Sequence, residues 1–331
     1  MVDGQIKKTK PPVDASAKRV FSTAWFALFI CGAAILLGSF LMGWMKGVLT
    51  NAYPSLSGAG WLKWVIQFVV MYCMAIPAGI IVLRFIPKNA PVKKRLGAAQ
   101  FFRLFLICFP VMYAGSLIGN ILSFILSGGR MVNPVQDLIS DPSPLRIVIT
   151  VIAAPVFEEL LFRKVLIDRV AVYGEGNAIL FSAVAFGLFH GNVTQLCYAA
   201  GVGLVLAYVY VKSGKVIYTI AMHMALNFIG GVIAPWVLSL YNADTLSRIF
   251  EQHDFTALLP LIAIFAYLTA TAGLVAAGIV MLVKQVRRVR FEPAPLELLP
   301  GTRIRTVYFI STGAALFYLY CAYRIITNLT G

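Results

Sequence analysis

Charge is scarce in this chain: 13 Asp and Glu and three His among 331 residues, with charged residues at only 12% of the total. Soluble domains carry roughly a quarter charged residues, so this composition cannot supply an ordinary water-facing surface. Cysteine is sparse and patternless. Cys31, Cys73, Cys108, Cys197 and Cys321 are odd in number, scattered and set in apolar segments, which excludes a disulfide framework and metal spacing and reads as buried free thiols. Several catalytic signatures are missing as well. There is no His-Glu-x-x-His, no Gly-x-Ser-x-Gly, no Gly-x-Gly-Asp and no glycine-rich phosphate loop, which removes the zinc, serine and aspartyl readings those motifs carry.

What the chain has is apolar sequence, 60% hydrophobic residues at a mean hydropathy of +0.84. That places it outside soluble globular composition and predicts an all-α, polytopic transmembrane helical bundle of about eight to nine spans, each needing about 20 residues. The apolar run Val20–Trp44 is too long for a signal-peptide core and no small-residue cleavage site follows it, so it reads as the first span. Further spans are expected at 62–86, 101–127, 145–170, 177–191, 194–212, 216–240, 257–283 and 305–327. The fifth is short and is expected to be tilted or partly re-entrant.

The formal charge of +15 does not indicate nucleic acid. Lys88, Lys93, Lys94, Arg95, Lys164, Arg169, Lys212, Lys215, Lys284 and Arg287 all fall in connections on one side or in the last turns of the spans that lead into them, whereas the opposite connection 241–255 holds Asp244, Glu251 and Asp254. Positive-inside bias accounts for that asymmetry, with the N-terminus cytoplasmic and the lipid bilayer as the partner surface. The expected organisation is a basic cytoplasmic tail at 1–19, N-terminal transmembrane helices at 20–143, a central group of helices at 144–240, and C-terminal transmembrane helices at 241–331. That last part includes a proline-rich basic cytoplasmic loop at 284–304.

Within the fourth span stands Pro155-Val156-Phe157-Glu158-Glu159-Leu160-Leu161-Phe162-Arg163. Ionisable groups in hydrocarbon cost on the order of 3 kcal/mol each on insertion scales, so three together mark a site. Residues four apart share a helix face, so Glu159 sits over Arg163 and Glu158, rotated about 100° away, has no local partner. His190 and His223 lie in or at the ends of neighbouring apolar helices, whereas His253 falls in the acidic outer connection. Counting about 1.5 Å per residue from the cytoplasmic ends puts Glu158, His190, His223 and Asn227 at about 18, 20, 10 and 17 Å, close enough to meet in one layer. His223 and Asn227 share a face and offer two neutral donors, the equipment of an oxyanion hole. Phe186, one turn before His190, can pack against the imidazole. Gly115-x-x-x-Gly119 and Gly203-x-x-x-Ala207 suggest close helix contacts, and Asn192-Val193-Thr194 and Asn328-Leu329-Thr330 match the glycosylation sequon.

Glu158-Glu159-x-x-x-Arg163, then Phe186-x-x-x-His190, then His223-x-x-x-Asn227, in that order on successive helices, resembles the CPBP family of intramembrane endopeptidases. This group includes type II CAAX prenyl proteases and bacterial Abi proteins, and the wording around the motifs is closest to the bacterial branch. The resemblance implies hydrolysis of a membrane-embedded peptide or protein in a bacterial cytoplasmic membrane. Glu158 and His190 would activate water, His223 and Asn227 would stabilise the oxyanion, and Glu159, Arg163 and Phe186 would support them. No cofactor is expected. The alternative catalyst is zinc on Glu158, His190 and His223. The alternative function within the same fold is a non-catalytic bacteriocin-immunity or signalling-scaffold protein.

Overall fold

The computed structural model describes residues 14–130, 133, 141, 143–241, 244–299 and 302–330. Its helices, in chain order, are α1 (Ala15–Ala52), α2 (Gly60–Leu83), α3 (Ala98–Leu126), α4 (residues 144–170), α5 (Glu175–Phe189) and α6 (Val193–Ser213). They are followed by α7 (Val216–Ser239), α8 (Asp244–Phe250), α9 (Leu258–Val286), α10 (Ile304–Phe309) and α11 (Thr312–Thr330). No strand occurs among the described residues. The bundle is all-α, as the composition requires.

Six of these helices are long and apolar enough to cross a bilayer: α1, α2, α3, α6, α7 and the segment Phe255–Val286 containing α9. The other three expected spans are helical but differ for physical reasons. The fourth is diluted by Glu158, Glu159, Arg163 and Lys164. The fifth has 15 residues, about 22 Å of helix against the ~30 Å of a hydrocarbon core, so it ends inside the membrane layer. The ninth, expected as one helix over 305–327, is broken at Ile310–Ser311, where Ile310 is extended, into α10 and the 19-residue α11. At the other extreme α1 has 38 residues and begins at Ala15, with Asp14 accepting from the Ala17 N–H as its cap. The expected tail at 1–19 therefore gives its last residues to the helix, and the rest of it, 1–13, lies outside the described residues.

Prolines shape three of the spans. π-Helical turns occupy Val69–Ala75, Val148–Ala153 and Ile229–Ile233, and each runs directly into a helical segment with proline at its start: Pro77, Pro155 and Pro235. Proline has no N–H to close the preceding turn, so the chain widens there and leaves a carbonyl available to other partners. A fourth π-helical stretch, Leu160–Ile167, follows the paired glutamates, so the acidic turn Ala154–Glu159 is held between two widened turns.

The main core joins α1, α2, α4, α5 and α11 around Phe21, Trp25, Phe162, Phe181 and Phe317, with the Trp25 indole donating to the Tyr308 carbonyl at 2.7 Å. A second cluster joins α3, α6 and α7 through Leu104, Phe109, Leu206 and Met222. Small residues set the closest approaches. A side chain at Gly115 would meet the Tyr198 backbone at 2.5 Å and one at Gly119 the Thr194 carbonyl at 2.5 Å, so the Gly-x-x-x-Gly pattern seats α3 against α6. Gly203 likewise faces Phe186 and Ala183 on α5.

The basic connections collect at one end. Lys164, Lys88 and the Tyr210 hydroxyl surround the buried Asp168, Arg169 donates to the Leu83 carbonyl at 2.5 Å, and Lys212 pairs with Glu175. Residues 287–303 have no regular structure where described and fold over this end, with the Leu296 N–H bonded to the Val172 carbonyl at 3.0 Å and Lys94 paired with Glu292 at 3.4 Å. All five cysteines are free. Cys31, Cys108 and Cys321 are buried as expected, but Cys73 is exposed and Cys197 half-buried, because the outward faces of lipid-facing helices are apolar too.

Candidate active site

Glu158, His190, His223 and Asn227 line one cavity of about 350 Å³, and Phe186 lies in its wall. α4, α5 and α7 each contribute one or two of these residues, and α1, α2, α3, α6 and α11 complete the lining through Ile35, Tyr72, Met112, Tyr198 and Arg324. The two glutamates diverge as helical spacing requires. Glu159 is fully buried, its Oε2 3.0 Å from the Arg163 Nε, itself fully buried. Glu158 points into the cavity with a fifth of its side chain exposed and its Oε2 3.9 Å from the His223 Nε2. Absence of a sequence-local partner thus left Glu158 beside a distant residue.

Arg163 is secured on three sides. One terminal nitrogen faces the Ser182 hydroxyl at 3.4 Å, and the guanidinium carbon lies 4.5 Å from the centre of the Phe186 ring, a cation–π geometry. The same ring meets His190 edge-on at 4.9 Å and His223 edge-on at 5.8 Å. Phe186 therefore packs against the imidazole one turn on, as expected, and also against the guanidinium and the second imidazole.

Backbone geometry fixes which ring nitrogens carry hydrogen. α5 tightens at its end, where the His190 N–H turns to the Gly187 carbonyl, and the Phe186 carbonyl instead lies 2.8 Å from the His190 Nδ1. A carbonyl can only accept, so His190 carries its hydrogen on Nδ1 and presents an Nε2 lone pair. The His223 Nδ1 lies 3.0 Å from the Glu159 Oε1, and the carboxylate that pairs with Arg163 fixes the same tautomer. This changes the expectation of two neutral donors: a neutral His223 so held has an accepting Nε2, and it donates there only when doubly protonated.

Asn227 is oriented by the proline turn. The Ala154 N–H bonds five residues back to the Ile149 carbonyl, and Pro155 has no N–H with which to reach Thr150. The freed Thr150 carbonyl accepts one hydrogen of the Asn227 amide at 2.9 Å, leaving the second available to the cavity.

A polar wall that the motifs do not mark adjoins these residues. Asn192, the N-cap of α6, donates to the His190 carbonyl at 3.1 Å and to the Gln195 Oε1 at 2.6 Å. Gln195 in turn donates to the Tyr198 hydroxyl at 2.9 Å, so that hydroxyl keeps its own hydrogen. Asn192 is buried, so its sequon is a helix cap. Asn328 of the other sequon donates to the Gly191 carbonyl at 3.0 Å. The polar spacing after His190 was the available signal. Residues tied to the His190 turn from α11, by contrast, had no sequence-local clue.

Among the described residues no three His, Cys, Asp or Glu side chains come close enough together to hold a metal ion. Glu158, His190 and His223 share the cavity without converging as a zinc ligand set.

Paired carboxylates, two tautomer-fixed imidazoles and an amide around one cavity inside an apolar helical bundle define the class: an integral membrane protein with the equipment of a hydrolase. Residues 140–229 match the family described as "Type II CAAX prenyl endopeptidase Rce1-like". The chain is 24% identical over 166 residues to "Putative membrane peptidase YdiL" of Bacillus subtilis, covering 48% of this chain and 67% of that protein. It is 26% identical over 160 residues to "Membrane-embedded CAAX protease MroQ" of Staphylococcus aureus, covering 45% and 63% respectively. The aligned region thus spans about two thirds of these relatives. No solved structure gives a significant match. The match over residues 140–229 and the two bacterial relatives support the resemblance to the CPBP family and a membrane protease.

Proposed function

We propose that this protein is an intramembrane endopeptidase of the glutamate type, acting without metal on a peptide or protein segment that enters the bilayer. The observation that carries the reading is the shared cavity, into which Glu158 projects from α4, His190 from the end of α5, and His223 and Asn227 from α7. Glu158 takes a proton from a water whose other hydrogen is accepted by the His190 Nε2, and the resulting hydroxide adds to the scissile carbonyl. The free Asn227 N–H and the Nε2–H of doubly protonated His223, its Nδ1 on Glu159 and its Nε2 beside Glu158, donate to the oxyanion. Glu158 then returns its proton to the leaving nitrogen as the C–N bond breaks. A carboxylic acid and an amine are released.

With the basic end cytoplasmic, as positive-inside bias favours, the N-terminus faces the cytoplasm, and by the kinship with bacterial proteins the membrane is the bacterial cytoplasmic membrane. The test is peptide cleavage by purified protein in proteoliposomes. Glu158→Gln is expected to lower the rate by about 10²–10⁴-fold with unchanged thermal unfolding, since glutamine keeps the shape of the side chain and the nearest charged partner of Glu158, His223, is 3.9 Å away. Normal cleavage by that variant would overturn the assignment and favour a binding, immunity or scaffold role.

A further inference from the structure

The cavity holds a cation that the proposed chemistry does not use. Arg324, on α11, lines the same space as Glu158 and His190. It lies outside the segment 140–229 that matches the peptidase family. Its side chain lies across the turn after His190. A Cβ placed on Gly191 would stand 2.9 Å from the Arg324 Cβ, 3.4 Å from its Cγ and 3.6 Å from its Nε, so the turn has room for this side chain only because residue 191 is glycine. Gly191 also has φ +65°, a conformation glycine adopts without penalty. α11 is tied to this turn by the Asn328 amide on the Gly191 carbonyl at 3.0 Å and the Cys321 thiol on the Leu188 carbonyl at 3.4 Å, so Arg324 is held in place by its neighbours.

Every other arginine or lysine that anchors this part of the fold has a partner. Arg163 has Glu159, Arg146 donates to the Gly231 carbonyl at 2.8 Å, and Arg130 donates to the Leu329 carbonyl at 2.7 Å. The Arg324 guanidinium makes no hydrogen bond or ion pair among the described residues. A half-buried arginine that lines the cavity of an apolar bundle calls for an anion, and the planar fork of a guanidinium matches a carboxylate.

We infer that Arg324 is the anion-recognition residue of the peptidase cavity, binding a carboxylate of the peptide within a few residues of the scissile bond. The inference rests on the protease reading for the word peptide, but not for the binding. The carboxylate is the chain terminus or an acidic side chain, and the two separate experimentally. The probes are fluorophore-labelled apolar peptides in matched pairs, one pair ending in carboxylate or carboxamide, the other carrying an internal Glu or Gln.

Affinity is read with the Glu158→Gln protein, which removes turnover, and kcat and KM with the intact one. One pair is expected to favour its acidic member by about tenfold or more, the scale of a charge-assisted hydrogen bond, and the pair that does so identifies the source. Arg324→Gln should bring that pair to within about twofold, raising KM for the acid while leaving kcat on the neutral peptide unchanged, and Arg324→Lys should keep part of the preference. Thermal unfolding checks that both variants fold. Equal affinity for acid and neutral members of both pairs, or a preference that survives Arg324→Gln, overturns the inference. If the intact protein cleaves nothing while its Glu158→Gln form still shows an Arg324-dependent preference, the protease reading falls and anion recognition stands.

Discussion

The Nδ1 of His223 lies 3.0 Å from Oε1 of Glu159, across 64 residues of sequence and between two helices. Glu159 thereby holds Arg163 with one oxygen and His223 with the other. The same carboxylate that neutralises a buried arginine thus fixes the tautomer of an imidazole lining the cavity. Glu159 links the buried arginine to the cavity, whereas Glu158 beside it faces the cavity, its nearest charged partner the His223 Nε2 at 3.9 Å.

That division predicts opposite phenotypes for adjacent residues. Glu159→Ala strands a fully buried guanidinium, and breaking a buried pair costs about 3–5 kcal/mol. Abundance and thermal unfolding temperature should both fall, and Arg163→Ala should do the same. Glu159→Gln with Arg163→Met removes both charges together and should recover much of the stability, yet cleavage should stay low because His223 loses its carboxylate. Recovery of full activity in that double variant would show that Glu159 serves packing alone.

Legibility in the sequence followed the range of the interaction. The Glu159–Arg163 pair is one helical turn, and helical spacing alone places it. The convergence of Glu158, His190, His223 and Asn227 on one cavity was readable from counting residues along apolar runs. The Glu159–His223 contact was not, because no local rule relates residues that far apart. The link from Thr150 to Asn227 was half visible, since Pro155 announces a freed carbonyl without saying who takes it. Arg324 was hidden because its place in the cavity depends on where α11 crosses the turn after His190, which no local rule supplies.

Gly119 on α3 packs on the first turn of α6, and its added Cβ would stand 2.5 Å from the Thr194 carbonyl and 3.0 Å from that of Val193. Those are backbone atoms that cannot rotate away. Gly119→Ala is expected to destabilise by about 1–3 kcal/mol and to displace the Asn192–Gln195–Tyr198 wall, so KM should rise more than kcat falls. Gly230, where a Cβ meets nothing within 4 Å, is the control, and its alanine variant should leave KM unchanged. Unfolding temperature and steady-state kinetics of both variants check the difference.

The proposed base and oxyanion donors need no metal, which predicts insensitivity to chelators. Incubation of the purified protein with 1,10-phenanthroline or EDTA should leave the cleavage rate within about twofold, whereas a zinc-bound water would supply the nucleophile only while metal remained. Loss of cleavage after chelation, restored by added zinc, would replace Glu158 as base with a metal site.

Pro155 tests whether the widened turn serves the site. With proline there, the Ala154 N–H reaches Ile149 and the Thr150 carbonyl is left to Asn227. Pro155→Ala restores an N–H, which relieves the reason for the wide turn and lets the helix take back its own carbonyls. Helical propensity favours alanine by about 3 kcal/mol, so the variant should be at least as stable as the parent. It should nevertheless cleave about 10–100-fold more slowly, the scale of a misplaced oxyanion donor, because Asn227 loses the acceptor that aims its second hydrogen. Asn227→Ala should be as slow, and combining the two should add little, since both remove the same donor. Full multiplicative loss in the double variant would mean that the turn and the amide act separately.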